Sequence, residues 1–172
     1  AAATLDEALR IMPGNPKLLE VLALVRLTQG RYAQAADLLQ QAYDATMADD
    51  GDAIPSNLFF YNYATVCTHL RRTQEAATWL RRAADQEPAL IELYVQRALT
   101  GTPTFRKYAV ASMKALAAMP GRDTAAIHAH LATLHLALDK PALALRDFER
   151  ALAAVRKDPL QSAVLTPRFY FW

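Results

Sequence analysis

Apolar residues recur three and four positions apart along residues 57–88, a spacing that places them on one face of a helix. The pattern is interrupted at Arg71 and Arg72, and it ends at Pro88, which cannot continue a helix. The stretch therefore predicts two amphipathic helices joined by a short turn. Its apolar positions, in chain order, are Phe60, Tyr63, Ala64 and Cys67 before the turn and Ala76, Leu80, Ala83 and Ala84 after it.

The same order of large and small apolar positions recurs elsewhere in the chain. Ala35, Ala76 and Ala144 hold one small position in three different second helices. Ala76 and Ala144 are separated by two lengths of a repeat of about 34 residues. The interval before Ala76 is longer because residues 47–56 add a loop rich in Asp, Gly and Pro.

These hairpins resemble the tetratricopeptide repeat (TPR), a helix–turn–helix unit that stacks on its neighbours. The resemblance implies an all-α fold, a right-handed α-solenoid of TPR-like helix–turn–helix repeats, with residues 1–172 as a single solenoid segment. Its parts are 1–15 as the second helix of a truncated repeat, 16–52 and 57–90 as repeats, 91–122 as a degenerate repeat, 125–157 as a repeat, and 160–172 as the start of a further repeat or a junction. Because the first repeat lacks its first helix, we expect a fragment of a longer TPR-containing protein.

Two secondary structures fit the aromatic end of the chain. Residues 165–172, LTPRFYFW, repeat the order of residues 54–61, IPSNLFFY, which favours the start of another helix. The same aromatic residues also fit a β-strand, and with it a junction to a β-rich neighbour. The sequence leaves both interpretations open.

Composition and charge exclude several classes of function. The 172 residues are 53% hydrophobic and contain 19 basic and 17 acidic residues, and a net charge of +2 is too small to indicate nucleic acid or an anionic membrane. No apolar run approaches the roughly 20 residues of a membrane-spanning helix. No targeting segment is recognisable, so the compartment stays open between cytoplasm and periplasm. Abundant Ala and Arg favour a bacterial origin.

The TPR resemblance implies a concave groove, lined by the first helices of successive repeats, that takes an extended peptide or a partner's helix. Asn62 stands where peptide-binding TPR proteins carry an asparagine that hydrogen-bonds the ligand backbone, since an amide both donates and accepts. Asparagine is also common there without such a role, and both interpretations stand. The predicted partner-binding residues are Lys17, Glu20, Leu24, Tyr61, Asn62, Thr65, His69, Gln96, His130 and Thr133.

The carboxylate clamp of chaperone-associated TPR proteins does not fit this groove. In the family, the first clamp helix carries Lys and Asn, the second Asn, and the third Lys and Arg. The matching positions here hold Glu20 and Leu24, then Asn62, then Glu92 and Gln96. One position of the five agrees, so we do not expect this protein to bind C-terminal carboxylates in that way.

Neither the histidines nor the cysteine indicates a catalytic or metal site. His128 and His135 share one helical face at packing positions of the repeat, while His130 points elsewhere, and no Cys, Asp or Glu completes a ligand set at helical spacing. Cys67 also holds a packing position, which predicts a buried thiol. No phosphate-binding Gly loop, carboxylate pair or hydrolase motif is present. The sequence therefore predicts no enzyme, no cofactor and no metal.

The function that the sequence favours is a protein–protein interaction scaffold with a protein or peptide partner, without nucleic acid and without membrane insertion of this segment. The alternative is the TPR arm of a larger multidomain protein, an outer-membrane β-barrel exporter or a glycosyltransferase, whose activity lies outside these residues. Self-association through the end repeats is a third possibility, because the last repeat of a solenoid exposes an apolar face.

Overall fold

The computed structural model describes residue 7 and residues 10–48, 55–158 and 160, and within them it contains eight α-helices and no β-strand. The helices are α1 Pro16–Thr28, α2 Tyr32–Ala48, α3 Asn57–His69, α4 Thr73–Gln86, α5 Ala89–Thr100, α6 Pro103–Ala117, α7 Ala125–Leu136 and α8 Pro141–Lys157. The predicted all-α helical-repeat fold is confirmed over these residues. The chain forms two compact units, Ala1–Leu90 (unit 1) and Ile91–Trp172 (unit 2).

The helices fall in pairs along the chain, and each pair lies at one of the four predicted whole repeats. The grouping of these repeats into one solenoid segment stays a prediction. The truncated repeat at 1–15 lies mostly outside the described residues, and so does the stretch 160–172 beyond Leu160. The choice between helix and strand for that stretch therefore lies outside the described residues too.

Unit 1 packs α1 against α2, α2 against α3, and α3 against α4. The centre of this unit is Trp79 on α4, which is 7% exposed. Its indole stacks on the ring of Tyr63 with a centroid distance of 4.4 Å and on Phe60 at 5.9 Å. The rings of Tyr43 and Phe59 meet it edge-on at 5.2 and 6.4 Å. Offset stacking and edge contacts are the arrangements that aromatic rings favour, so this aromatic cluster fixes how the three helices α2, α3 and α4 meet.

Three of the turns inside the repeats share one backbone geometry. Gly30, Arg71 and Asp139 each adopt a positive φ, of 73°, 63° and 55° respectively, directly after a first helix. The N–H of the following residue then bonds back to the carbonyl five residues earlier, which is the Schellman closure of a helix C-terminus. These bonds run from Arg31 N to Arg26 O, Arg72 N to Cys67 O and Lys140 N to His135 O, each 2.9 Å long.

The turn between α5 and α6 is built differently, since side chains close it. Thr102 caps the start of α6. The guanidinium of Arg106 donates to the carbonyl oxygens of Ala98 at 3.1 Å and Leu99 at 2.6 Å, at the end of α5. It also donates to the carbonyl of Ala137 at 2.8 Å, the C-cap of α7. One arginine thus serves two helix ends whose carbonyls have no partner within their own helices.

The buried face of α6 differs from the predicted one. The apolar spacing of residues 105–119 by itself predicts an inward face made of Tyr108, Ala111, Ala115 and Met119. These residues are only half-buried, and Met119 lies beyond the end of the helix. The residues that are buried are Phe105, Ala109, Val110, Ser112, Met113 and Leu116. The ring of Phe105 lies 6.2 Å from that of Tyr94 on α5, and this contact sets which face of α6 turns inward. In the rest of unit 2, α7 packs against both α6 and α8.

Candidate protein-binding site

The predicted groove residues of α1 lie on the side of the helix away from its core. Lys17 is exposed, and Glu20 and Leu24 are half-buried. Val21, between them on the same face, is 45% exposed. The helix begins where it does because the side chain of Asn15 accepts hydrogen bonds from two backbone N–H groups of its first turn, at 3.1 Å. The core residues on the opposite side are Leu19, Leu22, Ala23 and Leu27.

On α3 the corresponding face is exposed at the first turn and buried beyond it. Leu58 is 52% exposed, whereas Tyr61, Asn62 and Thr65 are 7%, 8% and 0% exposed. The hydroxyl of Thr65 donates to the carbonyl of Tyr61 at 2.9 Å, which satisfies it inside its own helix. Of these buried residues, Asn62 has the most hydrogen-bonding capacity, because a primary amide has two donors and an acceptor.

The side-chain amide of Asn62 makes no hydrogen bond within the part of the chain that the structure describes. It is also not among the polar atoms of that part that are both unpartnered and sealed from solvent, which are the indole Nε1 of Trp79 and Nδ1 of His128. The amide of this largely buried residue therefore keeps some contact with solvent. Its donors and its acceptor are open to a ligand.

Helices α1 and α3 are adjacent, and a hydrogen bond joins Glu20, a predicted groove residue of α1, to the start of α3. The hydroxyl of Ser56, the N-cap of α3, donates to the Glu20 carboxylate on α1 at 3.2 Å. Ser56 also accepts from the backbone N–H of Phe59 at 3.1 Å. The structure thus places Glu20 of α1 beside the N-terminus of α3.

His69 lies at the far end of α3 and is half-buried. Its imidazole stacks on the ring of Tyr32, with centroids 4.0 Å apart and planes 6° from parallel. Tyr32 is the first residue of α2, so the stack holds the end of α3 against the start of α2.

The three remaining predicted groove residues belong to unit 2. Gln96 on α5 is exposed, and His130 and Thr133 on α7 are half-buried. The hydroxyl of Thr133 donates to the carbonyl of Ala129 at 3.0 Å. Burial lowers the pKa of His130, and the negative charge of Glu92 opposes part of that shift. Whether these residues bind a ligand stays a prediction.

His128 and His135 are buried, as the repeat positions predicted, but each has a carboxylate partner that the sequence pattern did not reveal. His128 Nε2 lies 2.5 Å from the Asp123 carboxylate, just before α7. His135 Nδ1 lies 2.7 Å from Asp147 on α8, and both side chains of this pair are buried. Within the described residues, no group of three His, Cys, Asp or Glu side chains is placed to hold a metal ion.

Two further residues of unit 1 carry reactive or charged side chains, Cys67 and Arg82. Cys67 is fully buried, and burial first and then the Glu75 carboxylate raise the pKa of its thiol, so the sulfur stays protonated at neutral pH. The side chain of Arg82 lies over the aromatic cluster. Its guanidinium carbon is 4.9 Å from the ring centroid of Trp79 and 5.1 Å from that of Tyr43, and it donates to the Tyr43 hydroxyl.

Among the described residues, none of the helices has both the length and the apolar composition to cross a membrane.

Comparison with known proteins supports the repeat interpretation. A sequence model of the tetratricopeptide repeat matches residues 1–50 and residues 21–90. The crystal structure of MamA superposes with a TM-score of 0.52 at 14% sequence identity, over 92% of this chain and 88% of that one, which is a likeness of fold. No curated protein matches the sequence. Because the repeat model covers more than half of the chain, the protein belongs to the tetratricopeptide repeat family.

Proposed function

We propose that unit 1 is a non-catalytic interaction site that holds an extended peptide of a partner protein along the faces of α1 and α3. Membership of the TPR family supports a protein-interaction scaffold in general. The observation that carries the finer proposal is the amide of Asn62, 8% exposed and without a hydrogen-bond partner in the described residues. An amide pairs with both the N–H and the C=O that an extended backbone presents along one edge.

Exposed apolar side chains beside Asn62 supply a second kind of contact. Val21 on α1 is 45% exposed and Leu58 on α3 is 52% exposed, and the Ser56–Glu20 hydrogen bond joins these two helices. Covering such side chains removes apolar surface from water, which favours binding by about 25 cal/mol per Å². We therefore expect the peptide to carry an apolar residue near the backbone group that hydrogen-bonds to the Asn62 amide.

Charge on α1 adds a preference about the ligand's side chains. Lys17 is exposed and makes no ion pair within the described residues. Glu20, by contrast, already accepts a hydrogen bond from Ser56. An exposed cation thus lies at the start of α1, and an acidic residue of the peptide placed there gains an attraction that salt weakens.

The test starts from short random peptides displayed on phage and selected on the intact chain. The affinity of a selected peptide is then measured by calorimetry for the wild type and for Asn62→Ala. Losing the hydrogen bonds to the peptide backbone should weaken binding by about tenfold or more, which corresponds to about 1.4 kcal/mol. Leu58→Ala should weaken it less, and Lys17→Ala should reduce its salt dependence.

Leu152→Ala is the matched control, since Leu152 is 53% exposed, close to Leu58, but lies on α8 in unit 2. It should leave the affinity within about twofold. The proposal is wrong if the selected peptides bind Asn62→Ala as tightly as the wild type while circular dichroism shows the same helix content. Light scattering distinguishes the alternative occupant, a second copy of the chain, because self-association would grow with protein concentration.

A further inference from the structure

Three cationic side chains surround a small cavity in unit 2. The cavity has a volume of about 140 Å³ and is lined by Lys114 on α6, by His135 on α7, and by Leu143, Arg146, Asp147 and Arg150 on α8. A single water molecule needs roughly 10–15 Å³ of such space, so the cavity has room for a group of several heavy atoms. It lies wholly within unit 2 and shares no residue with the proposed peptide site on α1 and α3.

The lining carries an excess of positive charge. Its single carboxylate, Asp147, is buried and already engaged, since one oxygen lies 2.7 Å from His135 Nδ1 and the other 3.6 Å from a guanidinium nitrogen of Arg150. Lys114 and Arg146 make no ion pair and no hydrogen bond within the described residues. Two cations on different helices therefore line the same small space without an ion-pair partner in the described residues.

The positive charge near the cavity affects the pKa of His135. Burial lowers its pKa, the hydrogen bond to Asp147 and the negative charge of that carboxylate oppose the shift, and the ammonium groups of Lys114 and Lys140 lower the pKa further. The positive field of these groups thus reaches the imidazole at the cavity wall. The pairing of Nδ1 with Asp147 also fixes the ring, which leaves Nε2 as the nitrogen without a partner in the described residues.

We propose that this cavity binds a phosphate-type oxyanion between Lys114 on one side and Arg146 and Arg150 on the other. Arginine forks and lysine ammonium groups are the side chains that proteins use for phosphate, because guanidinium donors pair with two oxygens at once. The buried Asp147 holds His135 and Arg150 in place and is too engaged to repel the ligand as a free carboxylate would. The oxyanion is either free in solution or carried on a phosphorylated side chain.

The test titrates the full chain with inorganic phosphate and records nitrogen–proton correlation spectra. Saturable shifts should be confined to amides around Lys114, Leu143 and Arg146, and to those beside His135. The double variant Lys114→Ala, Arg146→Ala should weaken binding at least about tenfold, since it removes both cations that lack a counter-charge. Both residues are exposed, so the fold should survive, and Lys114→Gln with Arg146→Gln repeats the test with longer polar side chains.

The matched control removes equal charge from the same two helices outside the cavity. Lys107 on α6 and Arg156 on α8 are exposed and do not line it, and their double alanine variant should bind phosphate within about twofold of the wild type. Equal weakening by both double variants would show attraction to surface charge alone and overturn the proposal. The absence of saturable shifts would overturn it as well.

The source of the oxyanion follows from a comparison of ligands. A phosphoserine-containing peptide that binds more tightly than inorganic phosphate, and more tightly than its unphosphorylated form, identifies a modified partner protein. Equal affinity for phosphate and the phosphopeptide identifies the free ion. Equal binding of phosphorylated and unphosphorylated peptides, with none of inorganic phosphate, would contradict the site.

Discussion

Unit 1 and unit 2 are built from the same kind of helical hairpin around buried apolar residues, but they differ in the additional contacts of their aromatic and polar side chains. In unit 1 the rings of the aromatic cluster pack on Trp79, whose indole Nε1 has no hydrogen-bond partner in the described residues. In unit 2, Arg106 caps two helix ends, and Asp147 engages a buried histidine. The same repeat geometry therefore accommodates an aromatic cluster in one unit and directed polar contacts in the other, in addition to apolar burial in both.

The largest effect should come from breaking the centre of unit 1. Trp79→Ala removes a side chain that contacts four aromatic rings, and it should lower the free energy of unfolding by about 3–5 kcal/mol. Urea unfolding followed by circular dichroism measures this loss. Trp79→Phe should cost less, because it keeps a ring and loses no hydrogen bond. Equal losses in the two variants would show that ring stacking does not hold this unit.

The corresponding change in unit 2 is Arg106→Ala. It leaves the carbonyls of Ala98, Leu99 and Ala137 without their charged donor, so we expect a loss of about 2–3 kcal/mol. Lys107→Ala is the control, since Lys107 follows Arg106 in the chain and its own side chain is exposed. This substitution should change the free energy of unfolding by less than about 0.5 kcal/mol. Hydrogen exchange should show faster opening at the ends of α5 and α7 in Arg106→Ala alone.

Acid should weaken unit 2 more than unit 1. Burial lowers the pKa of both His130 and His135 in unit 2, so the folded state binds fewer protons than the unfolded state as the pH falls below about 6.5. Stability is then present above that pH and is lost below it, by at most about 1.4 kcal/mol per histidine for the first pH unit. Burial raises the pKa values of Tyr63 and Cys67 in unit 1, and both groups stay neutral at these pH values.

Hydrogen exchange at pH 7.5 and pH 5.5, corrected for intrinsic exchange rates, measures this difference within the intact chain. Amides of α7 should lose protection, while those of α3 and α4 should keep it. Replacing His130 by Gln should remove part of the pH dependence. An equal loss of protection in both units would show that other groups control the response to acid.

The smallest effect should come from the one turn geometry that both units share. Gly30 in unit 1 and Asp139 in unit 2 both adopt a positive φ after a first helix. Asp139→Gly should stabilise the protein by about 0.5 kcal/mol because glycine reaches this conformation without strain. Gly30→Ala should destabilise it by about 0.5–1 kcal/mol, through backbone strain alone, since a Cβ there meets no atom within 4 Å. Thermal unfolding measures both effects, and we expect the midpoint temperature to rise in Asp139→Gly and to fall in Gly30→Ala.

The sequence predicted the helices and most of the core, because both follow from periodic spacing within single helices. Ala64, Ala76 and Leu80 are buried where the repeat pattern placed them. The predicted buried face of α6 was wrong, because the orientation of this helix depends on the ring contact between Phe105 and Tyr94, which belong to different helices. Asn62 was singled out by its repeat position, but the sequence could not show that its amide has no partner in the described residues.

Local pattern by itself determined the all-α repeat architecture of this protein, because apolar spacing, caps and turn residues act within a few positions of one another. Only the tertiary structure decided which polar groups meet. It carried Arg106 to the ends of two helices, paired His135 with Asp147, and gathered Lys114, Arg146 and Arg150 around one cavity. Such groups lie on different helices, and the repeat period does not encode the contacts they make once those helices pack.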